Sequence, residues 1–134
     1  MSPEYNKSLR RVTKPQLEAL GYEFDGKSRF TKIGSKGNAY VIEYQLGTRS
    51  MQGQFTVNLI SGERLERLAM ISPTLMSKLV DKIFGGFDPW WKGIFLPKDY
   101  WWEISPFQKE MDSIIQKTVT DLKTYGISWF DDKA

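Results

Sequence analysis

The chain has no histidine and no cysteine among its 134 residues. Without histidine it lacks the side chain that most often exchanges protons near neutral pH. Without cysteine it has no thiol nucleophile, no disulfide framework and no thiolate for a zinc site. It also lacks the ~20-residue apolar run that a membrane span needs. The N-terminal stretch MSPEYNKSLRR has no apolar signal core. These absences point to a bacterial-type cytoplasmic protein with no membrane anchor, no cofactor and no catalytic residue of the common kinds.

What the chain does have is aromatic rings: five Trp, six Tyr and eight Phe. Large, rigid, amphipathic rings carry much of the binding energy at interfaces, which favours a protein that binds over one that catalyses. The net charge of +3 is too small to imply nucleic acid by itself. Its distribution is uneven, however. Residues 1–36 hold eight Lys/Arg against four Asp/Glu, and residues 99–134 hold seven Asp/Glu against four Lys/Arg. The length suits a single domain over residues 1–134.

A first helix is expected from Ser2 as N-cap with Pro3 at its first position. Tyr5, Leu9, Val12, Gln16, Leu17 and Leu20 share one side at helical spacing, and Lys7, Arg10, Arg11 and Lys14 share the other. Pro15 should kink this helix, or split it with Thr13 capping the second piece. Gly21 should end it. Short strands at Tyr22–Phe24 and Ser28–Ile33 flank Asp25-Gly26, a tight-hairpin signal.

After a turn at Gly34–Asn38 come the best strands, Ala39–Leu46 and Gln54–Ile60. In the second, Phe55, Val57 and Leu59 alternate with Gln54, Thr56 and Asn58, the pattern of a half-buried antiparallel strand. Gly62–Ile71 resists assignment because Glu63, Arg64, Glu66 and Arg67 make it read as exposed. A second helix should open at Ser72-Pro73, with Leu75, Met76, Leu79, Val80 and Ile83 as its stripe, and stop at Gly85-Gly86. Phe87–Leu96 reads as an aromatic loop or strand and Tyr100–Ile104 as a strand. A last helix should open at Ser105-Pro106, carry Phe107, Met111, Ile114, Ile115, Val119 and Leu122, and end at Gly126. This order predicts an α+β fold: a single twisted antiparallel sheet with long N- and C-terminal helices packed on one face.

Several segments in this order resemble a known family. A helix bearing Lys14-Pro15 leads through Leu17–Leu20 into Gly21-Tyr22. Then come Phe30, the strand Phe55-Thr56-Val57-Asn58-Leu59, the strand Trp101-Trp102-Glu103-Ile104, and the close at Tyr125-Gly126-Ile127-Ser128-Trp129-Phe130. Across roughly residues 5–130 the chain resembles the bacterial proteins grouped as domain of unknown function 4304, although Leu68–Asp88 is longer than that pattern. The resemblance brings no catalytic residue with it. Proteins of that kind sometimes sit in toxin–immunity gene clusters, which implies an inhibitor role by association.

Four constellations are candidates for function. The Trp90-Trp91 and Trp101-Trp102 pairs, with Asp88 and Glu103 beside them, could contact a partner or could be core and rim packing. If Tyr100–Ile104 is a strand, Trp101 and Trp102 point to opposite faces, so one enters the core and the other needs cover. Glu43, Gln45, Gln54, Thr56 and Asn58 would form a polar strand face, either solvated or a recognition floor. The basic residues Lys7, Arg10, Arg11 and Lys14 could bind phosphates or an acidic protein, extended by Arg29, Lys32 and Lys36, or could be a solvated helix face. Finally, Asp81, Asp88, Asp99, Glu103, Glu110 and Asp112 could supply acid–base chemistry or hold Mg²⁺, but no spacing repeats a metal loop, and Asp81 and Asp112 should face water on helices. Gly34-Ser35-Lys36-Gly37-Asn38 is a turn rather than a phosphate loop, since a strand follows it.

The reading these features favour is a small non-catalytic protein-binding module: an immunity-protein or antitoxin-type inhibitor of a bacterial toxin or effector. The alternatives are a nucleic-acid-binding module using the basic helix and a metal-dependent enzyme using the carboxylates. Monomer and homodimer both remain open.

Overall fold

The computed structural model describes residues 3–34, 36–49, 52–71 and 101–133, with the side chains of 69, 70, 132 and 133 left aside. It contains a six-stranded antiparallel sheet plus helices, an α+β arrangement. The strands are β1 (Glu23–Phe24), β2 (Arg29–Ile33), β3 (Ala39–Leu46), β4 (Gln54–Ser61), β5 (Arg64–Arg67) and β6 (Trp102–Glu103). The first five follow one another as neighbours in sequence order, each antiparallel to the last. β6 pairs with β4 instead, through Gln54↔Glu103 and Phe55↔Trp102. Because β3 occupies one edge of β4, β5 and β6 share the other. β5 covers its 58–61 half and β6 its 54–55 end. The expected second helix from Ser72-Pro73 and the Phe87–Leu96 segment lie outside the described residues.

Period-two alternation puts one side chain of each pair into the core. On that face an aromatic row crosses the sheet. Phe24 stacks on Phe30 (4.5 Å between ring centres), Phe30 meets Tyr44 edge-on (6.1 Å), Tyr44 stacks on Phe55 (6.2 Å), and Phe55 stacks on Trp102 (5.5 Å). Much of the aromatic surplus is therefore structural. A second group, with Tyr40 stacked on Phe130 at 4.8 Å and Tyr22 beside it, closes the core near the C-terminus.

The N-terminal helical run consists of α1 (Pro3–Ser8), a π-helical segment (Leu9–Thr13) and α2 (Lys14–Glu18). Where a kink or split at Pro15 is expected, the run is interrupted by this widened turn. Lys14 donates its N–H to the carbonyl of Leu9, five residues back. A proline ring would clash with the carbonyl four residues before it and normally pushes its predecessor out of the helix. Widening the turn gives the ring room, and Lys14 stays helical at φ −52°, ψ −55°. Thr13 makes no cap; it is helical and buried. Gly21, at φ +94°, ends the run as expected, while Leu20 is exposed rather than part of the apolar side.

The last helical run also differs from expectation. α4 (Gln108–Asp121) begins after Phe107 as its N-cap residue, with Ser105 and Pro106 outside it. The hydroxyl of Ser105 accepts the N–H of Phe107 at 3.1 Å, so it closes a turn before the helix rather than capping it. Phe107 is consequently 68 % exposed instead of leading the buried stripe. Gly126 does not stop the helix. A second π-helical segment (Leu122–Gly126) carries the chain into α5 (Ile127–Lys133). A Cβ at Gly126 would press on Leu122 Cδ2 of the same helical run at 3.2 Å, and would meet Leu59 Cδ2 of β4 at an ordinary contact distance of 3.7 Å. Between β4 and this run lies a short α3 (Leu68–Ile71), which with β5 fills the stretch that the sequence leaves unassigned.

Polar contacts fix how these helices sit. Tyr44 Oη lies 2.7 Å from Thr118 Oγ1, which donates to the carbonyl of Ile115 at 2.7 Å. Thr118 has one proton to give, so Tyr44 is the donor in their contact. Burial pushes the Tyr44 phenol up to about 12. Between α1 and α4, Ser8 donates to Asp112 Oδ1 at 2.6 Å. Gln108 Nε2 reaches Ser8 Oγ (2.8 Å), Asp112 Oδ1 (2.9 Å) and the carbonyl of Glu4 (3.1 Å), and Arg11 lies 3.6 Å from Asp112 Oδ2. Asp112 is thus half-buried in a network, not turned out to water as its place on a helix suggested.

The Ser8 hydrogen bond, with help from Gln108, Arg11 and Lys7, holds the Asp112 carboxyl below its ordinary value. A depressed folded-state pKa stabilises the fold above the unfolded value and loses that contribution as pH falls through the folded one. Urea unfolding of the chain and of Asp112→Asn should therefore differ fully at about pH 6, and the gap should shrink below about pH 4. A gap unchanged down to about pH 3 would contradict the network.

Candidate functional site

The helices meet the sheet on its aromatic face: Tyr5 packs on Phe55, Thr118 on Tyr44 and Phe130 on Tyr40. Alternation sends the intervening side chains to the other face, where no helix packs among the described residues. Register then aligns a polar row across four strands, because Arg29 pairs with Glu43, Glu43 with Asn58, and Asn58 with Arg67.

The side chains of this row bond in sequence. Arg29 Nε donates to Glu43 Oε2 at 2.8 Å. Asn58 Nδ2 donates to Glu43 Oε1 at 3.0 Å and to Gln45 Oε1 at 2.8 Å. Arg67 Nη1 donates to Gln45 Oε1 at 3.0 Å and to the Asn58 side-chain oxygen. Glu43 can only accept, which orients the Asn58 amide and leaves its oxygen for Arg67. The Arg67 guanidinium also lies over the ring of Trp101, 5.7 Å from its centre.

Beside the polar row runs an apolar one, Thr31–Val41–Ile60–Leu65, in the same register. Val41 and Ile60 are half-exposed, and Leu65 is 58 % exposed. Ile33, next on this face of β2, is 64 % exposed. An apolar strip bordered by Arg, Trp and amides has the anatomy of a protein interface.

The expected site residues divide as follows. Trp101 and Trp102 do part to opposite faces: Trp102 enters the core against Phe55 and is not a contact residue, while Trp101 lies under Arg67. Thr56 and Asn58 stand on the outward face but are buried, so this part of the polar floor is not open to solvent. Gln54 and Glu103 lie opposite each other at the β4–β6 end of that face. Trp90, Trp91, Asp88, Asp81 and Asp99 fall outside the described residues. Sequence reading missed Arg67, whose place in an alternating Glu-Arg-Leu-Glu-Arg run was its available signal.

The basic helix face is largely engaged within the chain. Arg10 donates to the carbonyl of Gly26 at 2.8 Å and lies over the Phe24 ring. Arg11 pairs with Asp112 and Lys14 with Glu18. Lys7, which is exposed, acts on the Asp112 charge. Arg29 is tied to Glu43, and Lys32 lies over the Tyr22 ring. The Asp25-Gly26 hairpin that Arg10 holds is wider than a two-residue turn. Burial pushes the Asp25 carboxyl up, but the N–H groups of Lys27, Ser28 and Arg29, at 2.8–3.1 Å, and the Arg29 charge bring it below its ordinary value.

No three acidic side chains gather in a metal-binding group among the described residues. A groove of about 480 Å³ at the far end of β3 and β4 is lined by Glu4, Leu46, Gln52, Ile104 and Pro106 among others. None of the described helices is long and apolar enough to cross a membrane. Compared with protein-family models, with curated proteins and with solved structures, the chain matches none.

Asn58 is the joint of the polar row, so Asn58→Ala should cost about 1–3 kcal/mol by stranding three partners. Arg29→Ala, at the exposed end of the same chain of bonds, should cost less than about 1 kcal/mol. Equal losses in urea unfolding would show that the row is not organised around Asn58.

Proposed function

We propose that this chain is a protein-binding module whose recognition surface is the sheet face opposite the helices. The observation that carries this reading is the strip of exposed Ile33 and Leu65 and half-exposed Val41 and Ile60 beside the tied row of Arg29, Glu43, Asn58 and Arg67. Apolar side chains supply contact energy there, and the tied polar row presents its groups with little rotameric entropy left to lose on binding. A rigid surface of this kind blocks another protein by covering it, with no chemistry of its own. The ordered resemblance to domain of unknown function 4304 supports the narrower reading of an immunity-type inhibitor of a bacterial toxin or effector acting in the cytoplasm. The internal engagement of Arg10, Arg11 and Lys14 weighs against the nucleic-acid reading.

The test is affinity capture from native lysate with and without nuclease, run in parallel on Ile33→Asp and on Arg10→Glu/Arg11→Glu. Ile33 is exposed, so its replacement leaves the core intact. A stoichiometric protein that survives nuclease and is lost with Ile33→Asp supports the reading. Capture that empties on nuclease treatment, or is lost only with the arginine variant, refutes it in favour of nucleic acid.

A further inference from the structure

The sheet path ends at β5, and among the described residues no strand pairs with its outer edge. An open edge presents a row of backbone donors and acceptors to another strand. Along it, Arg64 and Glu66 carry opposite charges on the two sides of Leu65. Placed antiparallel to a second copy with Leu65 facing Leu65, the strand sets Arg64 opposite Glu66, twice about the two-fold axis. Paired residues in such a ladder share a face, and this pair obeys that rule: 64 and 66 lie on one face of β5, and 65 on the other. Opposite charges directly across a strand pair stabilise it, and like charges destabilise it. Shifting the register by two residues sets Glu66 against Glu66, so the charges select one alignment.

We propose that β5 is a homodimerisation edge, through which two copies of this chain join their sheets antiparallel about a two-fold axis at Leu65. The interface is isologous, as closed dimers require. It also joins the two apolar strips end to end, since Leu65 is the exposed end of each. The inference stands on the edge and its charges and does not depend on the identity of any other partner.

Sedimentation equilibrium of the full chain over a concentration series tests it, with Arg64→Glu and Glu66→Lys made separately. Arg64 is exposed and Glu66 half-buried, so neither change disturbs the core. The unaltered chain should sediment at twice the mass of one chain. Each variant alone should sediment as a monomer, because each places like charges opposite one another twice. An equimolar mixture of the two should recover the dimer, because Arg64 then faces Glu66, and Lys at 66 faces Glu at 64. Circular dichroism of each variant checks its folding, and recovery in the mixture is beyond the reach of misfolded chains. A monomeric unaltered chain, variants that still dimerise alone, or folded variants that fail to recover the dimer when mixed would each overturn the proposal.

Discussion

The structure depends on β4 being buried on both of its faces. Its inward side chains, Phe55, Val57 and Leu59, meet the helices, while its outward Thr56 and Asn58 are buried without contributing to the apolar core. A strand covered by apolar packing on one side and by hydrogen-bonded polar groups on the other has little freedom to slip. A shift of one residue would drive Asn58 and Thr56 into the aromatic row and turn Phe55 and Leu59 outward. That register then determines everything beside it. It sets Glu43 and Arg67 on either side of Asn58, and it fixes which tryptophan of the Trp101-Trp102 pair stacks on Phe55.

From this strand the two faces acquire different roles. The inward face is closed by rings and helices and owes its stability to area removed from water. The outward face is organised by charge-assisted hydrogen bonds, which add modest stability but hold side chains in one arrangement. The helical runs serve the first face. Both contain π-helical turns, one giving room to Pro15 and the other leading through Gly126, where a side chain would press on Leu122.

Much of this was legible in the sequence, for identifiable reasons. β3 and β4 carry an apolar residue at every second position over most of their length, and the Asp25-Gly26 turn marks the β1–β2 hairpin. The parting of Trp101 from Trp102 follows from strand geometry alone; which of them goes inward depends on the pairing of Phe55 with Trp102, a contact distant in sequence. β5 was hidden because an edge strand with Arg64 and Glu66 on one face and Leu65 and Arg67 on the other shows no apolar period. Gly126 misled because glycine commonly ends helices, and its closeness to Leu122 on the same run is visible only in three dimensions. Asp112 misled in the same way, since Ser8, more than a hundred residues away, decides its environment.

The central claim is that recognition belongs to the sheet face away from the helices. Exposed apolar side chains on the two sides provide internal probes: Ile33 on the sheet face, and Leu20 and Phe107 on the helical side. Radical footprinting of the chain, free and with its captured partner, reads their accessibility directly. If recognition uses that face, labelling of Ile33 falls on binding while Leu20 and Phe107 label as before. Protection of Leu20 or Phe107 with Ile33 unchanged would contradict it.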